Sequence, residues 1–219
     1  MKKRALIASV LFLFLSTYNV NNNHKFGSKF KIKKIFIENN LILEEKKIKD
    51  NLLFLYQKNI LFLEKKEIKR RLDELNFVES FKVKKIYPNK VKIKIFEAQP
   101  IAIIQNKKKK KYFTSKGKVI EFLDLKQFSD LPIVFGDEYN FRIFYNNLVS
   151  NNFPIQEIKM FYLFDSKRWD IVTNRDQTIR LPSENYIQVL KNFENLKEQA
   201  NFEKYKIFDY RIKDQLILK

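Results

Sequence analysis

The sequence predicts an α+β protein in three parts: an N-terminal membrane helix, a small unit ordered strand, helix, helix, strand, strand, and a larger mixed β-sheet domain backed by helices. Three observations carry this. A basic start, Lys2, Lys3 and Arg4, runs directly into the apolar stretch Ala5 to Leu15. Apolar residues and lysines alternate with period two from Phe81 to Lys84 and from Lys90 to Ile95, the pattern of half-buried sheet. Beyond Ile101, short alternating or apolar runs are interrupted by two stretches with helical spacing.

Residues 1–20 read as a short cytoplasmic tail followed by a transmembrane anchor. A spanning helix needs about 20 mainly apolar residues, a length reached here only if Ser16 to Val20 are counted. That length lies nearer a signal peptide, yet Ser16 to Asn21 holds no Ala-x-Ala pair, so the segment reads as uncleaved. A buried helix opening a cytoplasmic protein is the bland alternative. Lys25, Lys29, Lys31, Lys33 and Lys34 outnumber the basic residues before the apolar run, so charge does not orient it. Residues 21–28 form a polar linker in which His24 is a solvated side chain.

Residues 29–100 are expected to form the small unit. Phe30, Ile32, Ile35 and Ile37 read as a strand, turned at Asn39 and Asn40. Ile48, Leu52 and Leu55 share one face of a helix over 44–56, and Ile68, Leu72 and Leu75 share one of a helix over 64–75. Two strands follow around the turn at Tyr87, Pro88 and Asn89, with their lysines on the open face.

Residues 101–219 are expected to form the mixed sheet. Strands are read at 101–104, 111–114 and 119–122, with a turn at Ser115 to Lys118, then the run Leu131 to Gly136. Phe141, Phe144, Tyr145 and Leu148 mark a helix over 139–149, followed by strands at 155–164, 168–172 and 178–181. Tyr186, Val189, Leu190 and Phe193 mark a second helix from Ser183, read as its N-cap, to about Gln199. Strands at 204–211 and 215–218 close the chain.

The small unit resembles a POTRA module, and the local wording of the whole chain resembles the FtsQ/DivIB family of cell-division proteins. Phe30 to Asn40 matches that family's first strand and turn, Leu75 to Pro88 its second-helix exit and strand, and Glu97, Pro100 and Ala102 its closing Glu-x-x-Pro-x-Ala. In the second domain the matching positions are Leu131, Pro132, Gly136, Arg168 to Asp170, Leu181, Pro182, Asp209 and Arg211. The chain departs from the family after Trp169, where Asn174 and Arg175 stand in a hairpin that often carries Gly; Asn tolerates the positive φ such a turn needs. The resemblance implies a non-catalytic scaffold in the inner membrane, with periplasmic domains at the division septum. It also implies that FtsB and FtsL-type division proteins are received on the last strands, at Arg211, Ile212, Lys213, Asp214, Gln215, Leu216 and Ile217. Arg168, in what is expected to be the neighbouring strand, would pair with an acidic partner residue. POTRA modules also serve export and outer-membrane assembly, which is the alternative function.

Composition narrows the chemistry. The chain of 219 residues is 45% hydrophobic with 22 Phe and 10 Tyr, enough for a core in each of two domains. A formal charge of +19 raises nucleic acid or an anionic surface as partners, but Lys and Asn are abundant throughout and Gly numbers only 3, the bias of an AT-rich genome. The run Lys107 to Lys111 therefore reads as a solvated hairpin tip rather than a phosphate site. With no Cys and one His, disulfides, cysteine zinc sites and Cys-His or Ser-His catalysis have no constellation. Asp165 and Asp170 read as surface ion-pair residues, and the scattered glycines make no phosphate cradle, so no enzyme activity, cofactor, metal, nucleic-acid ligand or small-molecule substrate is expected. Trp169, the single Trp, reads as core, with a recognition anchor as the alternative.

Overall fold

A computed structural model of the chain describes residues 2–16, 28–107, 109–197 and 202–219. It resolves into two compact units, Met1–Glu97 and Ala98–Lys219.

The first unit begins with α1, Lys2–Ser16, whose 15 residues rise about 22 Å, short of the ~30 Å of a bilayer core. Among the described residues no helix is long and apolar enough to cross a membrane. The remainder of the expected anchor, Thr17 to Val20, and most of the linker with His24 lie outside the described residues.

After it come β1, Lys34–Glu38; α2, Glu45–Asn51; α3, Lys65–Leu72; β2, Val78–Ile86; and β3, Lys90–Glu97. The sheet order is β1-β3-β2, with β1 parallel and β2 antiparallel to β3. Val91, Ile93 and Ile95 are fully buried, as are Ile48, Leu52, Leu55, Ile68 and Leu72 from the helical side. Burial of each such side chain is worth ~2 kcal/mol, so the period-two and helical patterns meet in one core. The lysines of alternate positions face away from it.

Two elements differ from expectation. Phe30 to Lys33 do not join the strand; Lys31 makes an isolated bridge to Asn59. The helix expected over 44–56 stops at Asn51 and continues as a 3-10 turn over Leu53–Gln57. The reason is in the spacing, since Ile48 and Leu52 are four apart but Leu52 and Leu55 are three apart, and a 3-10 turn keeps residues at that interval on one side. The closing motif also acquires a physical role: the Glu97 carboxylate accepts from the backbone N–H groups of Leu41, Ile42 and Leu43 at 2.8–3.0 Å, fastening the β1–α2 loop to the end of β3.

The second unit holds β4, Pro100–Asn106; β5, Lys109–Thr114; β6, Val119–Glu121; β7, Ile133–Phe135; α4, Glu138–Ser150; β8, Ile158–Leu163; β9, Trp169–Thr173; β10, Thr178–Arg180; α5, Tyr186–Leu196; β11, Ile207–Asp209; and β12, Ile217–Leu218. Its strands form one mixed sheet ordered β12-β11-β10-β9-β8-β7-β4-β5-β6. In register across it, Ile104, Val134, Phe161, Ile171, Ile179 and Phe208 form an apolar row. Phe141, Phe144 and Leu148 of α4 and Leu190 and Phe193 of α5 bury themselves in the same core. Trp169 is core, 5% exposed and stacked on Phe144 with ring centroids 4.8 Å apart. Gly136 is needed because a Cβ there would lie 2.9 Å from that of Leu163.

Several expected boundaries shift. Ile155–Glu157 is a 3-10 turn ahead of β8. Ser183 does not cap α5: its hydroxyl donates to the Ser166 carbonyl, and Asn185, at φ 57°, precedes the helix, whose expected end at Gln199 lies outside the described residues. In the β9–β10 hairpin the positive φ falls on Asp176 rather than Asn174. Lys107 sits at the tip between β4 and β5, also with positive φ.

Candidate partner-binding edge

The last three strands are short, and their pairing decides what the margin of the sheet presents. β11 runs parallel to β10, matching Arg180 to Asp209, and antiparallel to β12, matching Asp209 to Ile217 and Phe208 to Leu218. β12 ends the strand order and, among the described residues, has β11 as its one strand neighbour. The Ile207 N–H donates to the Lys219 carbonyl at 3.0 Å, and the Lys219 N–H donates to the Ile207 carbonyl at 3.1 Å. Antiparallel residues alternate between bonded and non-bonded pairs, so the Ile217 polar groups also turn toward β11 while the N–H and C=O of Leu218 turn outward. An outward pair on a margin strand is what an added strand needs.

Arg211 and Gln215, expected at the inner ends of the two closing strands, lie instead with Ile212, Lys213 and Asp214 in one exposed turn. The Gln215 N–H donates to the Ile212 carbonyl at 3.2 Å, and Asp214 has φ 59°. Leu216 packs against the core from this turn, leaving Ile217 as the expected binding residue that enters β12, with Leu218 beside it. The turn and α5 enclose a groove of about 1050 Å³ whose lining includes Val189, Leu196, Tyr210, Ile212 and Leu216. Ile212, Ile217 and Leu218 remain 52%, 39% and 38% exposed, so the margin is apolar, and among the described residues no strand pairs with its outer side.

Arg168 is not in a neighbouring strand. It precedes β9, and β10 and β11 stand between it and β12. Its Nε lies 3.2 Å from Asp170 and its guanidinium 4.3 Å from the centre of the Phe164 ring, so its charge is engaged locally. The sheet order separates them because the α5 connection carries the chain from β10 to a parallel β11 on the outer side.

The charges nearest the margin form a row the strand patterns did not announce: Asp170 opposite Arg180, Arg180 opposite Asp209, and Asp209 opposite Ile217. Asp209 is buried and accepts from Arg211 Nε at 2.8 Å and Nη2 at 2.6 Å, with Arg180 Nη1 3.4 Å away. The Arg211 fork holds the Asp209 carboxyl down to about 2, against the opposing effect of burial. Burial pushes Asp170 the other way, upward, opposed by its hydrogen bond to Arg168. Asp209 thereby ties the turn at Arg211 to β10 and sets where β12 begins. Its signal was present as the polar residue after Ile207 and Phe208 and its position two before Arg211, but nothing local showed that Arg180 would be its other partner. Among the described residues no group of three or more His, Cys, Asp or Glu is placed to hold a metal ion.

Comparison with known proteins agrees over both units. Residues 30–98 match the family described as POTRA domain, FtsQ-type, and residues 102–211 match Cell division protein FtsQ/DivIB, C-terminal. The chain is similar to Cell division protein FtsQ of Rickettsia felis, 27% identical over an alignment of 228 residues that covers 97% of this chain and 84% of that one. It is 26% identical to Cell division protein FtsQ of Rickettsia typhi over 200 residues, covering 89% and 75%, and 26% identical to that of Rhizobium radiobacter over 125 residues, covering 56% and 60%. The chain thus spans three quarters of the Rickettsia typhi relative and less than two thirds of the Rhizobium one. With a POTRA unit followed by a mixed sheet whose terminal ribbon lies at the margin, and with both regions matched, the chain belongs to the FtsQ/DivIB family of cell-division proteins.

Proposed function

We propose that the protein is a non-catalytic, single-pass division scaffold that captures an extended segment of an FtsB-type protein, itself paired with an FtsL-type one, by strand addition on β12. On this reading residues 1–20 are the cytoplasmic tail and inner-membrane anchor, 21–28 the linker, and residues 29–100 and 101–219 two periplasmic domains at the septum. The protein then links early to late division proteins. The observation that carries the reading is the outward N–H and C=O of Leu218 on a margin strand. The incoming segment hydrogen-bonds to that backbone, and the apolar groove beside Ile212 and Leu216 takes its side chains. The Asp209–Arg211 clamp holds β11 and the turn in place so that little ordering cost remains at binding.

Leu218→Pro tests this directly, because it removes the outward N–H and spares the Ile207–Lys219 bonds. Affinity for a synthetic extracytoplasmic FtsB-type peptide is expected to fall at least about tenfold with the unfolding midpoint nearly unchanged. Ile217→Pro, whose N–H faces β11, should instead lower stability as well. Full affinity in a folded Leu218→Pro protein would remove strand addition as the mode of capture.

A further inference from the structure

The outward face of the three-stranded sheet carries a charge distribution that the edge described above does not use. Register places Lys34, Lys90, Lys92, Lys94, Lys82 and Lys84 on this one face, with Lys82 directly opposite Lys94 and Lys84 directly opposite Lys92. Like charges directly opposed on a sheet are destabilising, so they are an unusual choice for a face that has only water to meet. Glu38 is the single acidic residue at these outward positions, and it pairs with Lys92 at 2.7 Å. On the helical side the same unit pairs its charges within short reach: Lys49 with Glu45, Lys58 with Glu67 and Lys69 with Asp73. Lysines stand on both sides of the unit, but on the sheet face they are in phase with the pleat and have Glu38 alone as an acid among them, whereas the helical side interleaves them with Glu45, Glu67 and Asp73.

Apolar groups are interleaved among these lysines. Phe96 lies 5.6 Å from the ammonium groups of both Lys82 and Lys94, and Phe36 4.9 Å from that of Lys34. The cations are all Lys, mobile point charges, where bidentate recognition of a protein carboxylate would favour Arg. A flat array of point charges with rings between them suits a diffuse layer of negative charge over an apolar phase, which is a bilayer surface. The chain between Ser16 and Phe30 reaches at most about 50 Å, so a membrane entered by the apolar N-terminus is within range of this face.

We propose that the outward face of β1, β3 and β2 rests on anionic phospholipid headgroups. Proximity, though not the chemistry of the face, rests on the anchored reading above. The absence of Cys allows a single probe. Ser80→Cys places a polarity-sensitive fluorophore at an exposed outward position, and Asp50→Cys places it on the helical side as a control. The full chain is reconstituted into vesicles of phosphatidylcholine alone or with phosphatidylglycerol, each carrying a nitroxide-lipid quencher. Quenching at position 80 but not at 50 is expected in the anionic vesicles, weak in the neutral ones, and lost in 1 M salt, where the Debye length falls to about 3 Å. Each Lys→Gln among Lys82, Lys84 and Lys94 should weaken the association about fivefold.

Equal quenching at both positions, none in anionic vesicles, or quenching indifferent to the three Lys→Gln changes would overturn the proposal. So would a response of the probe to soluble polyglutamate in place of anionic vesicles, which would mark a protein-binding face. Flotation with the neutral vesicles reads the anchor separately: a chain that does not float with them loses the anchored reading, while the two probes on anionic vesicles still decide the face.

Discussion

On the outward face of the three-stranded sheet Lys84 stands opposite Lys92 and Lys82 opposite Lys94, whereas on the outward face of the larger sheet Asp170 stands opposite Arg180 and Arg180 opposite Asp209. Both faces arise from the same period-two alternation that fills the two cores. They differ in where the charge is balanced. The larger sheet balances it internally, among side chains that are mostly buried, and uses the balance to hold a margin strand in register. The smaller sheet leaves it to whatever lies beyond the protein. Charge on a strand therefore stiffens a site when it alternates in sign across the ladder and advertises a surface when it does not.

The largest effect expected from breaking this contrast is at Asp209. Its carboxyl is depressed from an ordinary 3.8 to about 2, chiefly by Arg211, which corresponds to about 2 kcal/mol of stability in the second unit. The sign follows from the depression: the contribution is present in full above about pH 4 and is lost as pH falls through about 2. Asp209→Asn should therefore lower unfolding free energy by about 2 kcal/mol at pH 7, and the two proteins should converge at the acid end of a chemical-denaturation series. A gap that persists unchanged to pH 2 would mean that packing, not charge, is what Asp209 supplies. The smaller sheet should respond in the opposite sense. Lys84→Glu converts a like pair into an opposite one against Lys92 and should raise stability by about 0.5 kcal/mol, readable as a higher denaturant midpoint with unchanged slope.

The contrast also explains which elements the sequence makes legible. The elements of the small unit were legible because Val91, Ile93 and Ile95, and then Ile48, Leu52, Ile68 and Leu72, each repeat over enough residues for a period to show. Trp169 reads as core on a different ground, that a large aromatic on a sheet is more often buried than exposed, and it lies in step with Ile171 on β9. The margin was harder. β10, β11 and β12 are three, three and two residues long, too short for a period, and Lys204, expected to open a strand, ends the 3-10 turn Phe202–Lys204, from which Phe202 stacks on Phe208 at 4.7 Å. Arg168 was misplaced because adjacency in a mixed sheet depends on the crossover through α5, which no local pattern encodes. The binding backbone groups passed to Leu218 because one residue of register decides which polar groups face outward.

The decisive measurement is amide hydrogen exchange at the carboxyl-terminal ribbon, residue by residue, with and without the FtsB-type peptide. The Lys219 amide, bonded to Ile207, should be protected in the protein alone, and the Leu218 amide should exchange quickly until the peptide is added and then slow by about tenfold or more. A Leu218 amide already protected in the protein alone, or one whose exchange the bound peptide leaves untouched, would contradict the account of β12 as an open margin.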